Sequence, residues 1–159
     1  MDKRGREVDM FIDEYAKQQN AIESTIQNKT EVIVEHIFKL MLMPNHNSYN
    51  HWKREIANQF NEVRKLKGSN KLPKKEQIFE WSYEDISDQL TDVNFVQNRI
   101  DNIIYDYGEN SVVYDYDLES FIANLNNICY NYFNWLSDEL SKTGYVANSS
   151  IYRKLDKLI

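Results

Sequence analysis

Three histidines are the residues of this sequence best suited to bind a metal or to transfer protons. His46 and His51 lie in or beside one polar segment, and Glu55 follows His51 by one helical turn. Two imidazoles and a carboxylate are ligands that zinc accepts, so these three side chains could form a weak metal site. The pattern has low specificity because no cysteine or second cluster accompanies it. Structural or surface histidines are the simpler interpretation.

No catalytic motif accompanies the histidines. The sequence lacks the patterns typical of zinc proteases, phosphate-binding loops, dinucleotide-binding folds and nucleophile elbows. Cys129 is the only cysteine and lies within an apolar helical pattern, so we expect it to be buried and inert. His36 is expected at the edge of the core, with a hydrogen bond. We therefore predict no enzymatic activity, no catalytic residue, no metal and no cofactor.

Charge is strongly segregated along the chain. Residues 53–75 contain eight basic and two acidic residues, a net charge of +6, whereas residues 76–119 contain twelve acidic residues and Arg99, a net charge of −11. The basic segment is long enough for salt-sensitive contacts with phosphate. The adjacent acids and the total net charge of −6 argue against general affinity for nucleic acid. The other interpretation of both segments is a charged surface that keeps the protein soluble.

The acidic segment carries aromatic residues among its carboxylates. On one continuous helix, the carboxylates of residues 84, 88, 92 and 106 fall within about 80° of one another, and Phe95 lies in the same sector. Two Tyr-Asp-Tyr triplets follow, at residues 105–107 and 114–116. Carboxylates steer the encounter with a basic protein, and aromatic rings anchor it. We therefore predict a partner-binding surface made of Glu84, Asp88, Asp92, Phe95, Asp106, Tyr107, Asp115 and Tyr116.

These patterns favour a small non-catalytic inhibitor or adaptor that docks its acidic, aromatic-bearing surface on a basic protein partner, such as a nuclease. The size, the many Asn, Lys, Ile and Tyr residues that AT-rich codons give, and the charge pattern fit an inhibitor from a phage or mobile element, of the anti-CRISPR kind. The alternative is a nucleic-acid-associated protein that uses a basic helix at residues 53–75, or a metal-dependent enzyme that uses His46, His51 and Glu55.

The elements that must position these residues are organised around an apolar helix from Glu31 to Met43. Its circumference is apolar, as in a central core helix, apart from one narrow charged stripe made of Glu31, Glu35 and Lys39. Pro44 ends the pattern. An outer helix from Val8 to Ile26 has an apolar seam only about 60° wide, and it either continues into the core helix or breaks near residues 28–30. This seam also leaves a homodimer as an alternative.

The next helical pattern is amphipathic and basic. Its apolar residues recur every three or four positions and end before Gly68, at Trp52, Ile56, Phe60, Val63 and Leu66. Residues 30–67 resemble a family of short all-helical bacterial proteins of unknown function, in which an apolar helix with a Glu-His pair precedes a Trp-basic-x-x-Ile helix. The residues that carry the resemblance are Glu35, His36, Lys39, Leu40, Trp52, Lys53, Ile56, Val63 and Leu66. The resemblance implies an all-α fold and no site, and Ala57 and Phe60 depart from it because the family has arginines there.

The sequence of the second half of the chain predicts further helices. One helix begins near Pro73, restarts at Ser82 and continues to about Tyr105. It is followed either by a short β-hairpin at residues 103–116 or by a helix end, a loop and a helix start. A long helix from Asp117 to about Leu140 and a short one capped by Ser149 or Ser150 complete the pattern.

Composition favours one helical domain. Four glycines and two prolines in 159 residues are few for a sandwich or a barrel, so we expect a single all-α domain at residues 1–159, a bundle of five to seven helices. The first residues form no continuous apolar segment, and the core helix is too short and too charged to cross a membrane. A lone cysteine allows no intramolecular disulfide. We therefore expect a cytoplasmic protein without membrane association.

Overall fold

The computed structural model describes residues 24–68, 77–112 and 117–159. Within these ranges the chain forms six α-helices and no strand, and we number the helices in chain order. The described part of α1 covers residues 24–42, and the other helices are α2 (Tyr49–Gly68), α3 (Gln77–Thr91), α4 (Val93–Tyr107), α5 (Leu118–Thr143) and α6 (Asn148–Leu158). The predicted all-α, single-domain helical bundle is confirmed.

Helix α1 provides much of the core. Ile33, Ile37 and Leu40 are fully buried, whereas Glu31 and Glu35 are exposed, as the predicted charged stripe requires. The helix is continuous through residues 28–30, and the Thr30 hydroxyl donates to the Ile26 carbonyl oxygen at 2.9 Å instead of capping a new helix. The first predicted helix therefore has no break within residues 24–42. Its earlier part, before residue 24, lies outside the described residues.

The predicted helix restart at Ser82 is wrong, and the break lies ten residues later. Helix α3 passes through Ser82 and ends at Thr91. Asp92 has extended backbone angles, φ −77° and ψ 116°, and its carboxylate accepts a hydrogen bond from the Phe95 N–H at 3.1 Å. This is the N-cap geometry of α4, and a carboxylate satisfies an otherwise unpaired N–H there. Residues 82–105 are therefore two helices.

The described part of residues 103–116 contains no strand. Helix α4 continues to Tyr107 and ends at Gly108, whose positive φ of 85° suits a residue without a Cβ atom. A short turn of 3₁₀-helix, Glu109–Ser111, follows. The helix end and loop that we predicted as the alternative to a hairpin thus describe residues 103–112, and residues 113–116 lie outside the described residues.

The two last helices end and begin close to their predicted positions. Gly144 ends α5 in the left-handed conformation, φ 68°, and its N–H donates to the Leu140 carbonyl oxygen. Asp117 precedes α5, but its carboxylate accepts from the Ser120 hydroxyl and not from a backbone N–H. Helix α6 begins after Ala147, so neither Ser149 nor Ser150 is its N-cap. The apolar pattern predicts that helix correctly and its cap two or three residues late.

Long-range contacts hold the helices against one another. The ring of Tyr83 on α3 stacks on Phe133 of α5 with centroids 5.5 Å apart, and the Asn126 side chain of α5 donates to the Leu90 carbonyl oxygen at 3.1 Å. Burial raises the pKa of Tyr83 to about 12.

None of the helices in the described ranges combines the length and the apolarity needed to cross a bilayer.

Candidate protein-binding surface

Two of the predicted binding residues lie on the exposed side of α3. Glu84 and Asp88 are one helical turn apart and both are exposed. Neither carboxylate forms an ion pair with any residue that the structure describes. Like charges at this spacing repel each other by a few tenths of a kcal/mol, about 0.2 to 0.5. Both acids are therefore exposed and without an ion pair among the described residues.

Asp92 has a different role from the one that the sequence suggested. It was predicted as a member of a carboxylate stripe on one continuous helix, yet it lies at the junction of two helices and caps the second. Its charge is exposed, but its carboxylate is already bonded to the Phe95 N–H. Any substitution at Asp92 therefore tests helix capping together with partner binding.

Two of the three predicted aromatic anchors, Phe95 and Tyr107, are half-buried and pack against the core. The Arg99 guanidinium lies 5.3 Å from the centroid of the Phe95 ring. Tyr107 meets the Trp52 and His46 rings edge to face, at centroid distances of 5.6 and 5.5 Å. Both rings thus have contacts within the fold. The two remaining predicted residues, Asp115 and Tyr116, lie outside the described residues.

An exposed aromatic residue of this region is Tyr105, which is not among the predicted binding residues. Its side chain is 89 % exposed. Asp101, one turn earlier on α4, is exposed and accepts a hydrogen bond from the Gln97 side chain at 2.9 Å. A helical projection continued to residue 107 would have found Tyr105, because it falls opposite the buried residues Val96, Ile100 and Ile103. We call Glu84, Asp88, Asp101, Tyr105 and Asp106 the acidic surface.

Asp106 occupies an electrostatically unfavourable position on this surface. It is exposed in the last turn of α4, and that turn contains no basic residue. The C-terminal end of a helix carries a partial negative charge, so a carboxylate there is destabilising where a lysine would be stabilising. Asp106 is therefore a residue whose presence helix stability does not explain.

Some charged residues of the basic segment already have partners within the fold. The Lys53 side chain is 11 % exposed, and its ammonium donates to both carboxylate oxygens of Asp156 on α6, at 3.0 and 3.1 Å. Burial and the nearby Asp156 charge raise the pKa of Tyr49, whose ring lies 5.2 Å from the same ammonium. The Arg64 guanidinium lies 4.8 Å from the Tyr145 ring. Exposed cations on α2 include Arg54 and Lys65.

The three residues of the alternative metal site do not come together. The His46 ring stacks on Trp52 at 4.9 Å, and its Nδ1 accepts a hydrogen bond from the Ser48 N–H at 3.0 Å. His51 and Glu55 approach each other only to 4.0 Å on the surface of α2. In the part of the chain that the structure describes, no group of three His, Cys, Asp or Glu side chains could hold a metal ion.

His36 and Cys129 occupy the environments that the sequence predicted. His36 donates from Nδ1 to the Val32 carbonyl oxygen at 2.7 Å, and burial lowers the pKa of its ring. Cys129 is fully buried, and burial raises the pKa of its thiol. A thiol that stays protonated is a poor nucleophile, which fits an inert core residue.

Comparisons with protein-family models, with curated proteins and with solved structures found no match. The resemblance of residues 30–67 to short helical bacterial proteins therefore stays a prediction.

Proposed function

We propose that this protein is a non-catalytic binding protein that docks its acidic surface on a basic protein partner. The observation that carries the proposal is the exposure of carboxylates on α3 and α4 and their lack of ion pairs with described residues. Glu84, Asp88 and Asp106 are exposed and have no ion pair among the described residues, and Tyr105, next to Asp106 on α4, is 89 % exposed. Exposed carboxylates accelerate encounter with a basic surface, and a tyrosine that becomes buried there supplies contact area.

The most concrete form of the proposal is an inhibitor of a nucleic-acid enzyme, of the anti-CRISPR kind carried by phages and mobile elements. Enzymes that bind DNA or RNA have grooves lined with lysine and arginine, because phosphate contacts dominate their affinity. A small protein whose exposed carboxylates occupy such a groove would compete with the nucleic acid. The many Asn, Lys, Ile and Tyr residues typical of AT-rich genes support such an origin.

Capture from a bacterial lysate, treated beforehand to remove nucleic acid, tests the proposal. The tagged protein would be compared with a variant in which Asp88→Lys and Asp106→Lys are combined, and bound proteins would be identified by mass spectrometry. Asp92 is left unchanged in this variant because its replacement would also remove a helix cap. We expect the variant to lose affinity for a basic partner by about tenfold or more, since like charges across an interface repel strongly.

The matched control combines Glu62→Lys and Asp138→Lys, two exposed helical acids outside the acidic surface, and changes the net charge equally. Glu62 pairs with Lys29 on the surface, and exposed pairs of this kind contribute about 1 kcal/mol or less. Circular dichroism establishes that both variants are folded. Equal loss of the partner in both variants, or full retention in the Asp88 and Asp106 variant, would exclude the acidic surface as the docking site.

A further inference from the structure

A groove between α1, α3 and α4 adjoins the acidic surface. Its volume is about 300 Å³. Its floor is apolar and made of buried core residues, namely Val34, Phe38, Ile86, Leu90 and Ile103. Its rim carries the charged stripe of α1 on one side and Asp106 on the other. This size is at the lower end of the range for ligand pockets, about 300 to 1,000 Å³, and suits one long side chain better than a helix.

The groove carries three carboxylates and two cations. Its two cations each lie over a ring of the fold, with the Lys39 ammonium 5.5 Å from the Tyr107 centroid and the Arg99 guanidinium 5.3 Å from the Phe95 centroid. By contrast, three carboxylates on the rim form no ion pair with a described residue, those of Glu31, Glu35 and Asp106. The groove therefore offers hydrogen-bond acceptors above an apolar floor.

Arginine matches both properties of the groove. Its methylene stem buries well against apolar side chains while its guanidinium remains at the polar edge. The guanidinium donates several hydrogen bonds in a fixed plane, and its bonds to carboxylates are stronger than those between neutral groups. An acidic side chain would meet three rim carboxylates against two cations that already lie over aromatic rings, and a purely apolar one would leave the carboxylates unmatched.

We infer that this groove receives an arginine side chain of the basic partner, held by Glu31, Glu35 and Asp106 over the apolar floor. The inference rests on the proposed function, because it names the group of the partner that the protein recognises. Asp106 belongs to both features, so the groove adjoins the docking surface at this residue. Glu35 belongs to the groove alone.

The test uses three blocked tripeptides as probes: acetyl-Ala-Arg-Ala-amide, its norleucine analogue and its glutamate analogue. Each is titrated into the full-length protein, and backbone amide shifts are followed by NMR at about 0.1 M and about 1 M salt, where the Debye length falls from about 10 Å to about 3 Å. We expect the arginine probe to shift amides of α1 and α4 around the groove most strongly, and less at high salt. The Glu35→Gln variant should bind this probe about tenfold more weakly, since a charge-assisted hydrogen bond is lost.

Asp138→Asn on α5, outside the groove, is the control variant and should bind the arginine probe as the unchanged protein does. Equal or tighter binding of the norleucine or glutamate probe, or shifts elsewhere on the molecule, would overturn the inference. Self-association that perturbs the groove without any probe would overturn it too, since the occupant would then be a second copy of the chain.

The single substitution Asp88→Lys, which leaves the groove lining unchanged, and Glu35→Gln together separate this inference from the proposed function. A captured basic protein that is lost with Asp88→Lys but kept with Glu35→Gln supports the acidic surface and rules out the groove as its arginine site. If no basic protein is captured while the arginine probe still binds the groove, the proposed function fails and the chemical preference of the groove stands by itself.

Discussion

Helix α2 and the pair α3 and α4 carry the two opposite charge patterns of the chain, and their charged side chains have different surroundings. On α2, Lys53 is paired with Asp156 of α6 and Arg64 lies over the Tyr145 ring. On α3 and α4, Glu84 and Asp88 have no comparable partner among the described residues. A dense run of charge in a sequence is therefore a poor guide to availability, because another helix can supply the opposite charge.

The aromatic residues of the two regions differ in the same way. Trp52 on α2 is 3 % exposed and lies between His46 and Tyr107, whereas Tyr105 on α4 is 89 % exposed. An aromatic residue enclosed by others stabilises the fold. One that is exposed next to unpaired acids has a large surface to lose to a partner.

The largest expected effect on the free energy of unfolding comes from removing the Trp52 side chain, and Tyr105 provides the contrast. Trp52→Ala should lower the free energy of unfolding by about 3 to 5 kcal/mol, because it leaves a cavity among packed rings. Tyr105→Ala should change it by about 0.5 kcal/mol or less, because the side chain is in water. Urea unfolding followed by circular dichroism measures both. A destabilisation of similar size in the two variants would remove the distinction between the regions.

The ion pair that joins α2 to α6 should give the second largest effect. Asp156→Asn leaves the nearly buried Lys53 ammonium without its counter-charge, and we expect a loss of about 1 to 2 kcal/mol, limited because Asp156 is itself 50 % exposed. Lys53→Met removes the buried charge together with the pair and should cost less. Asp88→Asn on α3 is the control and should be close to neutral. An equal loss of unfolding free energy in Asp156→Asn and Asp88→Asn, measured by urea unfolding, would show that the charges of the two regions do not differ in their contribution to the fold.

Asp92 lies in the acidic segment of the sequence, but its carboxylate caps helix α4. Asp92→Ala removes the N-cap of α4 and should lower the free energy of unfolding by about 1 kcal/mol. Asp92→Asn keeps an oxygen that can accept from the Phe95 N–H, so stability should hardly change although the charge is gone. Thermal unfolding of the two variants separates the contribution of the Asp92 charge from that of its capping hydrogen bond. If Asp92→Asn destabilised the protein as much as Asp92→Ala, the charge and not the cap would be the stabilising feature.

The helices could be predicted from the sequence because their apolar residues follow a helical period, but the junction of α3 and α4 could not. The apolar positions Leu90, Val93 and Val96 keep helical spacing across the break at Asp92, so periodicity gives no sign of it. At the break, the Phe95 N–H donates a hydrogen bond to the Asp92 carboxylate, which caps α4. A local capping bond of this kind competes with helix continuation by only about 1 kcal/mol, which the sequence pattern does not reveal.

The exposed aromatic residue of the candidate surface was missed, although one signal for it lies in the sequence. Tyr105 and Tyr107 flank the same aspartate, and only a helical projection continued to residue 107 distinguishes them. Their environments differ because α4 continues to residue 107 and because Trp52 and His46, distant in sequence, cover Tyr107. The groove was missed for the same reason, since its lining comes from three separate helices.

The smallest expected effect has the opposite sign. Asp106→Asn removes a carboxylate from the last turn of α4, where the helix dipole disfavours it, so the free energy of unfolding should rise by about 0.3 to 0.5 kcal/mol. The gain should shrink at high salt, because the residue is exposed and its interaction with the helix end is screened. The same variant should bind the basic partner more weakly. Asp138→Asn, the control on α5, should leave binding of that partner unchanged. A carboxylate that lowers stability and raises affinity is retained for binding, whereas a loss of stability in Asp106→Asn would show that the aspartate has a structural role after all.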